Sequence, residues 1–183
     1  MTTRTATRIA GAAALLAGVL TLPALLSAQE HGVQERFAIP ESMRAEHAEI
    51  HAALEEATRA PGRVGEAARD LARLLHPHFV REEQVALPPL ALLRPLSEGR
   101  FEPWMRGVLP MTDSLRAELP RMLAEHGEIG AAARRLEQVA REANNGEVEH
   151  LALKLQLHAR SEEELFYPAA VLVGDLVRAR SLP

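Results

Sequence analysis

The chain contains no cysteine. That excludes disulfides, thiolate metal ligands, iron–sulfur clusters and lipoprotein acylation together. Aromatic residues make up only 3% of the sequence, with one tryptophan and one tyrosine, so its core must be built largely from alanine and leucine. Neither sign of charge dominates: the formal net is −4 and basic residues are interspersed with acidic ones. Without a basic stripe, no nucleic-acid partner is expected. A metal held by such a chain would have to be bound by imidazole and carboxylate, which suits iron, manganese or zinc better than copper(I). At 183 residues there is room for one domain with a substantial core, while two would be cramped.

What is present begins with a targeting pattern. Arg4 and Arg8 precede an uncharged Ala- and Leu-rich run from Ile9 to Leu26, which ends at Ser27-Ala28 before polar Gln29-Glu30-His31. A basic stretch, an apolar stretch and a small residue at the cut are the secretory signature. Residues 1–28 are therefore expected to be a signal peptide cleaved near Ala28, which makes the protein periplasmic or secreted. The alternative is an uncleaved anchor, since about 18 apolar residues can just span a bilayer; that is the one expected route to a membrane. Residues 29–40 read as a lead-in.

From residue 41 to 180 the pattern is helical throughout. Met43, His47, Ile50, Leu54 and Ala57 recur at steps of four and three behind Pro40-Glu41, as one buried face of a helix requires. Ala60-Pro61-Gly62 ends that helix. A second is expected over about Val64–Leu87, with the seam Val64, Ala68, Leu71, Leu75, His78, Glu82, Val85, and with Pro77 kinking or loosening it beside His78. Residues 89–111 form a Pro-rich connection. The third seam is Leu115, Leu119, Met122, His126, Ile129, Ala133, Leu136, Ala140, with its helix expected to start at Pro120. Ala143-Asn144-Asn145-Gly146 closes it. The fourth carries Val148, Leu151, Leu155, His158, Glu162 and Leu165, and an apolar tail after Pro168 is expected to pack back as a short further helix.

The chain repeats itself. His78-Phe79-x-x-Glu82-Glu83 running to Pro88 matches His158-Ala159-x-x-Glu162-Glu163 running to Pro168, and Ala45-Glu46-His47-Ala48-Glu49-Ile50 matches Ala124-Glu125-His126-Gly127-Glu128-Ile129 in five of six places. His47 to His78 is 31 residues and His126 to His158 is 32. Halves 41–88 and 112–168 are thus two helical hairpins, and the expected fold is all-α: an up-down-up-down antiparallel four-helix bundle with a short extra C-terminal helix.

Taken singly, a seam histidine is most simply a hydrogen-bonded core residue. Glu82-Glu83 would be a solvated helix face, and Glu46, Glu125, Glu163 and Glu164 are read that way; Tyr167 and Phe79 are read as packing, and His31, His76 and His150 as surface or boundary residues. The combination resists the same treatment. Residues four apart share a helix face, so His47, His78 with Glu82, His126, and His158 with Glu162 converge at one depth. Two buried carboxylates without partners would be costly; a pair of cations removes that cost.

These segments resemble the hemerythrin-like family of cation-binding bundles, the HHE domains, over about Glu41 to Pro168; myohemerythrin is itself a standard example of this bundle topology. The resemblance implies a non-haem di-iron centre bridged by two carboxylates, with zinc or manganese behind iron. Oxygen-carrying members place two histidines four apart on the third helix, where this chain has Gly130; the matching position in the first half is His51, which joins the expected metal set of His47, His51, His78, Glu82, His126, His158 and Glu162. Carriers also favour a carboxylate five residues after its histidine, which would select Glu163, whereas the seam and the repeat select Glu162. The function expected is non-enzymatic, reversible binding of dioxygen or another small diatomic ligand. The alternatives are an enzyme acting on peroxide or nitric oxide, or an iron-buffering or sensing protein.

Overall fold

The computed structural model describes residues 36–181. The expected signal peptide, and the lead-in as far as residue 35, lie outside the described residues. The described chain is all-helical, with four long helices and no strand among the described residues. These are α1 (Glu41–Ala57), α2 (Gly62–Val85), α4 (Leu109–Glu142) and α5 (Gly146–Ser161), with short α3 (Leu93–Ser97) in the connection and α6 (Tyr167–Ala179) at the end. No described helix is long and apolar enough to cross a membrane.

The seams face inward as their periodicity requires, except at Leu165, which is exposed because the π-helical turn Glu162–Phe166 shifts the helix face and buries Tyr167 instead. On α1 the buried residues are Met43, His47, Ile50, Leu54 and Ala57; on α2 they include Leu71, Leu75, His78, Glu82 and Val85. Gly62 opens α2 with φ +64, a conformation that side-chain-bearing residues rarely adopt. At the other hairpin, Asn144 takes φ 54 and Asn145 accepts a hydrogen bond from Val148 N–H at 3.2 Å, capping α5.

One proline expectation needs correction. The third long helix does not start at Pro120: α4 begins at Leu109 and carries Pro120 in its interior. Pro120 and Arg116 are both exposed, so the carbonyl that loses its N–H partner can turn to water. The extra turns are worth keeping because they bury Thr112 and Leu115. Pro77 likewise lies inside an α2 that is helical from end to end, and it and Arg73, four residues earlier, are exposed.

The connection is more ordered than its proline content suggests. Two 3₁₀ turns, Pro88–Leu92 and Pro103–Val108, flank α3. Leu92, Met105 and Val108 pack with Val173 and Val177 of α6 and with Phe37, so the end of the lead-in is buried rather than free. α4 and α6 pack closely at Gly174, where an added Cβ would meet Thr112 Oγ1 at 2.3 Å.

The core is divided, and the division positions the site. One apolar cluster holds Ile50, Leu54, Leu71, Leu75, Phe79, Ile129, Leu136 and Leu155; another holds Met43, Val85, Leu87, Leu115, Met122 and Tyr167. Along every long helix the changeover falls at the seam histidines and glutamates. They form a polar layer between two apolar ones.

Candidate metal centre

All four seam histidines and both seam glutamates are buried. Their side chains assemble two groups of possible cation ligands: His47, Glu82, His158 and Glu162 in one, His78, Glu82, His126 and Glu162 in the other. Each group takes one histidine from each half of the chain, and both carboxylates belong to both. The imidazole Nε2 atoms point inward. His158 Nε2 lies 3.1 Å and His47 Nε2 3.7 Å from Glu162 Oε1, while His78 Nε2 is 3.3 Å from Glu82 Oε1 and His126 Nε2 is 3.5 Å from Glu162 Oε2.

A turn of unusual backbone presents the two glutamates. Tyr167 N–H donates to the Glu162 carbonyl, an i+5 bond that makes Glu162–Phe166 a turn of π-helix. Leu87 N–H makes the same bond to the Glu82 carbonyl at 3.0 Å. Proline follows at once in both halves, as Pro88 and Pro168, and has no N–H to give the regular i+4 bond. The first half then leaves in a 3₁₀ turn, and the second runs on into α6.

Three of the four outer imidazole nitrogens are held by carboxylates. Glu83 Oε1 lies 3.0 Å from His47 Nδ1, Glu125 Oε2 2.9 Å from His78 Nδ1 and Glu163 Oε1 3.0 Å from His126 Nδ1; Glu46 Oε1 stands 3.5 Å from His158 Nδ1. Glu83, Glu125 and Glu163, expected to be solvated, therefore serve histidines on other helices. Such contacts orient a ligating imidazole and fix its tautomer with Nε2 free for metal. The repeat carried the signal that could have found them: Glu-His occurs on both first helices of the hairpins and Glu-Glu on both second helices.

Tyr167 is also more than packing. It is 1% exposed, its hydroxyl donates to Glu82 Oε1, and its oxygen is 3.1 Å from His126 Nε2. Phe79 stacks on His47 with ring centroids 3.9 Å apart. His51, expected in the metal set, belongs to neither group. Its ring meets Phe79 edge-on, with centroids 5.1 Å apart, and lies beside His76. Burial, together with His76 and His47, pushes its pKa below the usual value.

Electrostatically the centre is built for positive charge. Burial works against protonation of His126, yet Glu162 and Glu82 outweigh it and raise its pKa to about 10. His47 and His78 are raised in the same way, against burial, by Glu162 with Glu83 and by Glu82 with Glu125. Burial would raise Glu162, but His126, His158 and His47 hold it well below the usual carboxylate range. Among the described residues, His158 Nδ1 is buried without a hydrogen-bond partner on the outer side, and on the inner side so are His47 Nε2, His78 Nε2, His158 Nε2, Glu82 Oε2 and both Glu162 oxygens. Orphaned buried groups of this kind cost about 1–3 kcal/mol each. The six inner atoms face the shared centre, and a pair of cations would satisfy them together. The donor set fits metal.

Comparison with known proteins agrees. The family model described as the hemerythrin HHE cation binding domain matches residues 38–170, which spans the ends of both halves and every residue of the two groups. No curated protein and no solved structure matches the chain.

Proposed function

The chain belongs to the hemerythrin HHE cation-binding family, and from that premise we propose that it is an exported non-haem di-iron protein that binds dioxygen or another small diatomic ligand reversibly. Cation binding follows from the family and from the buried histidine–glutamate cluster. The observation that carries the finer reading is the sharing of Glu82 and Glu162 by both groups, as two carboxylate-bridged ions require. In this reading His47 and His158 hold one iron, His78 and His126 the other, and His51 neither. Mixed nitrogen and oxygen donors favour iron over zinc or manganese.

Iron in such a site supplies the redox and ligand-binding chemistry. The chain supplies the rest. Four imidazoles and only two carboxylates, without the Glu-x-x-His pairs of carboxylate-rich di-iron bundles, moderate oxidising power. The apolar layers on both sides keep bulk water from the centre, and Glu83, Glu125 and Glu163 hold three of the imidazoles in place. Binding rather than turnover is the reading this favours.

The bundle itself is read as up-down-up-down. In support, the cluster containing Leu54 and Leu75 follows the site residues on α1 and α4 but precedes them on α2 and α5, which is what alternating helix directions produce. α6 is then an extension of the fourth helix beyond the π turn. Export rests on Arg4, Arg8 and the Ile9–Leu26 run.

The test is direct. Iron-replete expression of the full chain should yield two irons, with a visible charge-transfer band that appears under dioxygen and disappears on its removal. Irreversible bleaching or peroxide turnover would move the protein to the enzymatic class. A colourless, zinc-only protein would refute the di-iron reading.

A further inference from the structure

The repeat that builds the centre is broken at one polar position. Leu87 and Tyr167 stand nine residues after His78 and His158. Both are buried, and both backbone N–H groups donate to the carbonyl of the preceding seam glutamate. That bond is shared, although the first half then turns into a 3₁₀ segment and the second into α6, and the side chains differ. Leu87 adds only to the apolar layer, whereas Tyr167 brings an oxygen to Glu82 Oε1 and within 3.1 Å of His126 Nε2. That oxygen lies on the inner, donor side of the His78–His126 group.

The other group meets the opposite chemistry. Phe79 stacks on His47 and stands 5.5 Å, centroid to centroid, from His158. Its repeat counterpart is Ala159, so this ring too is unmatched. Phe79 offers neither donor nor acceptor. One cation position is faced by a phenol oxygen and the other by an apolar wall.

We propose that Tyr167 makes the two cation positions unequal: its oxygen takes the space an external ligand would need at the His78–His126 position and leaves the His47–His158 position to admit one. The ring is held nearly parallel to His126, at 21° and 5.5 Å, and is packed at the start of α6, so the oxygen cannot swing clear without moving the helix. Its hydrogen bond also orients Glu82, which both groups share. Tyr167 is thus a positioning residue for the pair. At the other position a small neutral ligand loses little against Phe79, while water forfeits hydrogen bonds there. The inference rests on the two-iron reading above.

Two substitutions test it on the ⁵⁷Fe-loaded full chain, read by iron content, Mössbauer spectrum and azide titration. The wild type should show two distinct iron environments of equal area and bind one azide per chain. Tyr167→Phe removes only the oxygen; it should keep two irons, bring the two environments together and raise azide stoichiometry from one to two. Tyr167→Leu installs the residue of the first half and should act in the same direction, which covers collapse of the phenyl ring onto the centre. One azide and unchanged spectra in both iron-loaded variants would overturn the role of Tyr167 alone. A wild-type chain that takes up no iron would instead refute the reading on which this rests.

Discussion

Glu162 and Glu163 are adjacent in sequence and opposite in consequence. Glu162 is 1% exposed, belongs to both ligand groups and lies near three of the four imidazoles. Glu163 has a side chain 42% exposed and makes one contact with the centre, to His126 Nδ1 at 3.0 Å. Glu162→Ala removes a donor from both cation positions and should take iron from two per chain to well below one. Glu163→Ala removes one charge-assisted hydrogen bond, worth about 1.5–3 kcal/mol when buried. Discounted for the exposed carboxylate, about 1–2 kcal/mol remains, or about 5- to 30-fold in iron affinity. That variant should therefore load fully at saturating iron and lose metal sooner to a competing chelator. Chelator competition followed by iron analysis separates the two. Complete loss in Glu163→Ala, with full retention in Glu162→Ala, would refute the assignment of their roles.

Other outcomes follow from the same geometry. His51→Ala should keep the full iron complement, because His51 belongs to neither ligand group; loss of one iron would restore it to the ligand set. In metal-free protein, His47, His78 and His126 have raised pKa values, so their contribution to stability is complete below the unfolded histidine value of 6.5 and is lost as pH rises, through about 10 for His126. The lowered Glu162 contributes above its ordinary value of 4.5 and loses that contribution as pH falls. Thermal unfolding of chelator-stripped chain should therefore peak between about pH 4.5 and 6.5, and the gap to iron-loaded chain should widen toward alkaline pH as the metal replaces bound protons. A stripped chain that grows more stable from pH 6.5 to 9 would contradict this. Gly174→Ala forces a methyl against Thr112 and should cost about 1–3 kcal/mol by denaturant unfolding, with iron stoichiometry unchanged.

The seams were readable because one buried face imposes a step of three or four, and His47, His78, Glu82, His126, His158 and Glu162 fall on that step. The same rule hid the supporting carboxylates. Glu83, Glu125 and Glu163 sit one residue off the seam, about 100° around the helix, where periodicity assigns solvent. In a four-helix arrangement that direction meets the flank of the neighbouring helix, where an imidazole Nδ1 waits. Tyr167 was hidden differently: its repeat partner is Leu87, so the duplication argued for packing. Pro120 misled because proline penalises a helix interior, whereas exposure at Pro120 and Arg116 lowers that penalty enough for Thr112 and Leu115 to extend the helix. The connection shows no period, and its order comes from packing against α6 and Phe37, which no local pattern encodes.

The central claim is that two irons share Glu82 and Glu162 between imidazoles drawn from both halves. Iron quantified per chain, on the same sample whose visible spectrum is cycled between dioxygen and vacuum, tests it most directly. The account expects two irons and a charge-transfer band that comes and goes with dioxygen; one zinc per chain and no band would contradict it.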